Sequence, residues 1–299
     1  MTGSTSTSLW PSRMSEVADA PLCLAPSPLR NSKGLTLPPG SCDTHFHVFD
    51  PDAPLTTPRS YTPQIKILSE WLTLAESFGI TRGVLVQPSV YGLDNHVLVD
   101  ALAQAPDRLR GVVVIAPDTP DAELARLDRA GVRGVRFNLR NKSGIGFEAL
   151  EALAPRMREL GWHAQFQIGP EAITTVGELA ERHDLVGVID HLAFMPLDPP
   201  GAALDDLCHV LESDRVYVKI SAPYRLRDTE GHKGYCKVLQ TLAVRYQNRL
   251  LWATDWPHTE LFTAVPADDD LIALSLDALP PEAHAATFAD NARTLYFSH

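Results

Sequence analysis

From Ser41 to the C-terminus, short apolar runs rich in β-branched residues alternate with longer stretches whose apolar residues recur at three and four spacing. Few folds accept that rhythm. The runs are Cys42 to Phe49, Gly83 to Val90, Gly111 to Ala116, Gly134 to Leu139, Trp162 to Ile168, Val186 to Leu192, Val216 to Ala222 and Leu250 to Trp256, eight in all. Helical patterns lie between them, over Ile65 to Phe78, Asn95 to Ala105, Asp121 to Ala130, Phe147 to Leu160, Glu171 to Arg182, Leu204 to Glu212 and Tyr235 to Tyr246. Parallel strands joined by helical crossovers produce this order. Eight repeats in about 250 residues predict a (β/α)8 TIM barrel rather than an open doubly wound sheet. A dinucleotide-binding open sheet would also place GxGxxG after its first strand, and none follows Phe49.

A barrel of this kind puts its active site at the C-terminal ends of the strands. The polar residues there are His45 and His47 on the first strand, Gln87, Ser89 and Tyr91 on the second, and Arg136 and Asn138 on the fourth. The fifth adds Gln165 and Gln167, the sixth Asp190 and His191, the seventh Lys219, Ser221 and the nearby Arg225, and the eighth Asp255 and His258. Polar groups inside apolar strands are costly unless they are paired. So many at one level point to a common site. Strand side chains alternate faces, so the imidazoles of His45 and His47 converge, as a ligand pair or as a ligand beside a catalytic neighbour.

The remainder of the chain limits its partners. Residues 1–38, rich in Ser, Thr and Pro, are expected to form a disordered extension ahead of a barrel spanning residues 39–299. A formal net charge of -11 disfavours nucleic acid and anionic membranes. No run approaches the ~18 apolar residues of a membrane span. The cysteines, Cys23, Cys42, Cys208 and Cys236, form no CxxC pair and are expected as free thiols in a cytoplasmic protein. Oligomeric state is not encoded in any motif, and a homo-oligomer is allowed.

The runs DTHFH, VQPSVYGLDN, RGVRFNL, a sixth-strand DH and WATDWPH, in this order from Ser41 onward, resemble the amidohydrolase superfamily. Within it they resemble the branch of 2-pyrone-4,6-dicarboxylate lactonases, 4-sulfomuconolactone hydrolases and sugar lactonases. The resemblance implies that His45, His47 and Asp255 fall on metal-site positions and His191 on the sixth-strand catalytic histidine. It also implies a basic residue near Lys142. Metal-binding relatives usually carry a histidine, a modified lysine or a glutamate at the end of strand four or five. Here Asn138, Gln165 and Gln167 stand there, and His163 is too near the start of its strand. A neutral amide is a poor ligand for zinc. The resemblance therefore implies a hydrolase without an obligatory metal, although zinc on His45, His47, His191 and Asp255 stays open.

Lactone hydrolysis needs a base for water, donors for the oxyanion and an acid for the leaving oxygen. Asp255 is the expected base, and His45, His47 and His191 are expected to polarise the carbonyl. Arg136 and Arg225 are expected to hold a carboxylate or sulfonate. The alternative for each is an ion pair with one of the chain's acids. Ser89, Tyr91, Tyr61, Lys142, Gln167 and His258 complete the expected substrate-binding set. The expected activity is ring opening of a small anionic lactone in aromatic catabolism. A sugar lactonase, a zinc-dependent decarboxylase of aromatic acids and a non-catalytic binding barrel are the rivals.

Overall fold

The structure is a computed structural model, and it describes residues 20–229 and 231–298. Eight parallel strands occur in sequence order: β1 Cys42–Phe46, β2 Arg82–Val86, β3 Leu109–Val113, β4 Val132–Asn138, β5 His163–Gln167, β6 Gly187–Ile189, β7 Val216–Lys219 and β8 Leu250–Leu251. Each strand pairs with the next, and the segment that follows β8 returns to β1 through a parallel bridge of Trp256 with Phe46. Closure uses single bonds rather than a full ladder. Thr44 N–H donates to Trp252 O (3.1 Å), Asp255 N–H to His45 O (2.9 Å) and His47 N–H to Trp256 O (2.8 Å). The Asp43 carboxylate reinforces that seam, accepting from the hydroxyl of Thr254 at 2.6 Å and its backbone N–H at 2.9 Å. The (β/α)8 architecture expected from the sequence is the one observed.

The crossovers are α1 Leu68–Phe78, α2 His96–Gln104, α3 Asp121–Arg129, α4 Phe147–Glu159, α5 Ile173–His183, α6 Gly201–Leu211 and α7 Lys233–Tyr246. In α1 the buried residues Leu68, Trp71, Leu74, Ala75 and Phe78 form one stripe, and Gly79 ends the helix in the left-handed conformation at φ 75°. Trp71 lies so close to β2 that a Cβ on Gly83 would come within 2.4 Å of its ring.

Three features depart from the sequence reading. An eighth crossover helix, α8 Asp268–Ala278, follows β8, and α9 Pro281–Ala285 and α10 Asn291–Tyr296 end the chain. Leu295 and Tyr296 of α10 join Cys42, Val84, Val112, Val188 and Leu251 in one apolar cluster. The extension expected over residues 1–38 divides: residues 1–19 lie outside the described residues, whereas 20–38 pack on the barrel. Cys23 and Leu37 are buried, Cys23 N–H donates to Thr62 O at 2.8 Å, and Leu24 N–H donates to Leu261 O at 2.9 Å. Backbone bonds and the Arg30 pairs with Asp269 and Asp270 anchor this strap, so it needs no periodic apolar pattern. All four cysteines are unpaired, and no helix among the described residues is long and apolar enough to cross a membrane.

Candidate active site

The strand ends gather the expected polar residues around one small cavity of about 20 Å³. Its lining includes His47, His191, Asp255, Arg136, Arg225 and Gln167. At its base His45 and His47 face the same way from the end of β1, with their Nε2 atoms 3.3 Å apart. Asp190 and His191 are consecutive, and on a continuing strand they would point to opposite faces. The strand stops at Ile189, however, and His191 enters a left-handed turn at φ 50°. Both side chains thereby reach the site. Asp255 is also left-handed, at φ 61°; such backbone costs about 1–2 kcal/mol per non-glycine residue and concentrates at functional sites.

The two oxygens of Asp255 have different company. Oδ2 accepts from the Tyr224 hydroxyl at 2.6 Å and from Arg225 Nε at 2.8 Å. Oδ1 faces His191 Nε2 at 3.6 Å and His45 Nε2 at 3.9 Å. Burial pushes this carboxyl up, but the guanidinium of Arg225 and the imidazoles outweigh it and hold the group well below the carboxylate range. Asp255 is therefore ionised at every working pH.

Behind His45 sits a fully buried polar cluster. Lys219 Nζ lies 2.8 Å from Gln165 Oε1, 3.2 Å from His45 Nδ1 and 3.3 Å from Asp190 Oδ1. Asp190 Oδ2 accepts from Gln165 Nε2 at 3.1 Å and lies 3.5 Å from Arg136 Nη2. Burial opposes ionisation of Asp190, yet Lys219 and His45 bring it well below the ordinary range. Burial lowers Lys219 to about 8 against the attraction of Asp190.

The other expected site residues divide by position. Tyr61, Ser89 and Gln167 line the cavity with Arg136. The Arg136 guanidinium donates to Gln87 O at 3.1 Å and to Gln167 Oε1, and its buried Nε has no partner among the described residues. Arg225 lines the cavity as well, but it is an ion-pair partner: besides Asp255 it donates to Thr259 O at 2.7 Å, and Glu260 Oε2 lies 3.6 Å away. Tyr91 and His258 are not brought to the cavity. The Tyr91 hydroxyl accepts the Asp50 N–H at 3.0 Å, and His258 bridges the Tyr224 hydroxyl and Asp268 at 3.0 Å each. The Lys142 side chain is exposed on the loop after β4. His163 opens β5 at the opposite end of the strand, its ring so close to Gly134 that a Cβ there would meet it at 2.4 Å. Sequence reasoning missed Asn141, Thr259 and Glu260, which complete the rim, and Tyr224, which holds Asp255; Asn141 donates to Glu260 and accepts from Gln167 Nε2 at 2.8 Å.

One donor atom each from His45, His191 and Asp255 lies within 4.8 Å of the others, so three ligands for a divalent ion are within reach. Two imidazoles and a carboxylate suit zinc by type, provided that His45 presents a bare Nε2 to the ion. His47 is outside that group and turns to His45 and to the Val86 carbonyl, 2.7 Å from its Nδ1.

The buried imidazoles make acid instability an expected result. Burial lowers His47 and His163 to about 3 and His191 to about 4, and it pulls His45 well below 6.5. Each folded value lies below the unfolded one, so each contribution is complete above about pH 6.5 and is lost as pH falls toward the folded value. Asp43 opposes them, because burial raises it to about 6. Four imidazoles against one carboxyl leave the unfolded chain binding more protons than the folded one near pH 5, so stability falls as pH falls there. The urea midpoint should therefore fall steeply from pH 7 to pH 5. A flat or rising midpoint would mean that these rings are not held neutral.

Fold and site together define a (β/α)8 barrel enzyme of the hydrolytic class, with a carboxylate ringed by imidazoles at the mouth. The chain belongs to the amidohydrolase family, whose model matches residues 42–297. It is 33% identical over 276 residues to a 4-sulfomuconolactone hydrolase of Hydrogenophaga intermedia, covering 88% of this chain and 90% of the relative. It is 30% identical over 281 residues to a 2-pyrone-4,6-dicarboxylate hydrolase of Comamonas testosteroni, covering 87% and 91%. Among solved structures, a putative 2-pyrone-4,6-dicarboxylic acid hydrolase from Pseudomonas putida superposes with a TM-score of 0.77 at 31% identity, over 87% of this chain and 98% of that one.

Proposed function

We propose that the chain opens the ring of a small anionic lactone, of the pyrone dicarboxylate or muconolactone type, in the breakdown of aromatic compounds. The observation that carries this reading is Asp255, with one oxygen fixed by Tyr224 and Arg225 and the other turned toward His45 and His191. A water beside Oδ1 gives its proton to that oxygen while its own oxygen attacks the lactone carbonyl carbon. The carbonyl electrons move onto oxygen, where imidazole N–H donors of His45 and His191 receive the charge, with His47 backing His45. Collapse re-forms the carbonyl and breaks the ring C–O bond. The leaving oxygen takes the proton back from Asp255, which returns ionised. A carboxylate held this acidic is a weak base, so most of the acceleration falls to carbonyl polarisation and positioning.

A divalent ion held by His45, His191 and Asp255 would supply Lewis-acid polarisation of the same carbonyl. No step above requires it. The substrate anion is assigned to Arg136, whose Nε is free to donate, with Ser89 and Tyr61 beside it and Lys142 on the loop outside. The names of the relatives, a sulfomuconolactone and a pyrone dicarboxylate hydrolase, support a small anion as substrate. Four unpaired thiols support a cytoplasmic setting.

The test is a hydrolysis screen of dicarboxylated pyrones, muconolactones and aldonolactones, with chelator-treated and zinc-supplemented enzyme. Anionic lactones should be turned over, and chelated enzyme should keep measurable activity. Preference for aldonolactones would move the chain to sugar lactonases. Complete loss on chelation, with stoichiometric return on adding zinc, would overturn the metal-free route.

A further inference from the structure

We propose that Lys219, rather than Asp190, sets the hydrogen-bond polarity of the histidine pair, holding His45 as an Nε2–H donor and closing the pair to a divalent ion. The inference rests on the preceding reading of His45 as a donor to the carbonyl, with the Nε2–H that points at His47 in the resting enzyme shared with the carbonyl oxygen once substrate is bound. It assigns to Lys219 the part of a positioning residue, acting through His45.

At His47 the polarity is fixed. Its Nδ1 lies 2.7 Å from the Val86 carbonyl oxygen, which can only accept, so Nδ1 carries the proton. In a neutral ring Nε2 is then a bare lone pair. That lone pair faces His45 Nε2 at 3.3 Å, so the bond between the two rings exists only if His45 Nε2 carries a proton. The opposite end of His45 gives the same answer. Its Nδ1 is equidistant, at 3.2 Å, from the Asp190 carboxylate and the Lys219 ammonium, and the two neighbours demand opposite tautomers.

Counting donors separates them. The ammonium has three hydrogens and three acceptors in reach: Gln165 Oε1, Asp190 Oδ1 and His45 Nδ1. Asp190 is already supplied by Lys219, by Gln165 Nε2 and by Arg136. With a bare Nδ1 on His45, every hydrogen of Lys219 finds an acceptor, and the chain runs in one direction from Lys219 through His45 and His47 to Val86 O. With a proton on Nδ1 the ammonium loses an acceptor and two lone pairs confront each other at 3.3 Å. Metal-binding histidines commonly donate their second nitrogen to a carboxylate, which frees the other as a ligand. Asp190 stands ready for that arrangement, and Lys219 pre-empts it. A fixed ammonium behind His45 also repels a second cation on the cavity side of the ring.

The tautomer can be read in the resting, full-length enzyme with 15N-labelled histidine, in chelator-treated buffer, from two-bond proton–nitrogen correlations, with a His45→Asn variant for assignment. The expected result is a protonated Nε2 on His45 and a protonated Nδ1 on His47. A protonated Nδ1 on His45 overturns the proposal. Calorimetric titration with zinc gives a second readout. Lys219→Met lets Asp190 take the His45 Nδ1–H and should tighten zinc binding by about 10-fold or more, the scale of such outer partners. In the Lys219→Met/Asp190→Asn double variant the gain should disappear. A folded Lys219→Met variant that binds zinc no better than the parent would also overturn it. If that variant does not fold, the nitrogen spectra of the parent decide alone. Neither measurement uses a lactone, so failure here and failure of the lactonase reading are separate results.

Discussion

Replacing Asp255 by Asn is expected to lower kcat by at least about 100-fold, the scale of losing a general base. The side chain keeps its size, and its amide oxygen can still accept from Tyr224 and Arg225 in the place of Oδ2. The amide NH2 then occupies the position of Oδ1, facing His45 and His191 with hydrogens where an acceptor stood. Water at that point has nowhere to send its proton. KM for an anionic lactone should stay level or fall, because the substitution removes a negative charge from the cavity wall. Steady-state kinetics beside a thermal melt check both expectations. A well-folded variant that keeps more than about a tenth of the parental kcat would remove Asp255 from the role of base.

The barrel was legible in the sequence because parallel strands buried on both faces leave continuous apolar runs, and all eight of those survive as β1 to β8. Helix α8 was not legible, since it begins with three aspartates after a loop rich in turn residues, so its apolar face is narrow. The convergence of His45 and His47 followed from alternation alone. The joint use of Asp190 and His191 did not, because alternation predicts opposite faces and only the left-handed turn at His191 overrides it. Lys219, a lysine enclosed in VYVKISA, carried a signal in its apolar flanks, but its partners Gln165, Asp190 and His45 come from three other strand ends, and no spacing rule joins them. Proximity to a strand end is also too coarse a guide to which side chains line the cavity, as Tyr91 and His258 show. Each satisfies a neighbouring group instead, Tyr91 the Asp50 N–H and His258 the Tyr224 hydroxyl.

The two arginines at the cavity should fail in different ways. Arg225 is bound to the Asp255 carboxylate, so Arg225→Met leaves Asp255 with Tyr224 alone on Oδ2 and removes the cation that opposes the effect of burial. The carboxylate loses its orientation and its pKa rises toward the ordinary range. We expect kcat to fall by roughly 10–100-fold on anionic and neutral lactones alike, with the acid limb of the rate profile displaced to higher pH. Arg136 has an unpartnered Nε and lines the cavity without touching Asp255 by any described hydrogen bond, while Asp190 behind it keeps Lys219 as its counter-ion. Arg136→Met should therefore raise KM for an anionic lactone by roughly 10–100-fold and leave a neutral one little changed, as expected for a charge-assisted contact made in the ground state. Measured on one pair of substrates, the variants form a crossed comparison. If Arg225→Met instead raised KM selectively for the anion with kcat intact, Arg225 would be the substrate's partner, and its bond to Asp255 would be one that the substrate displaces.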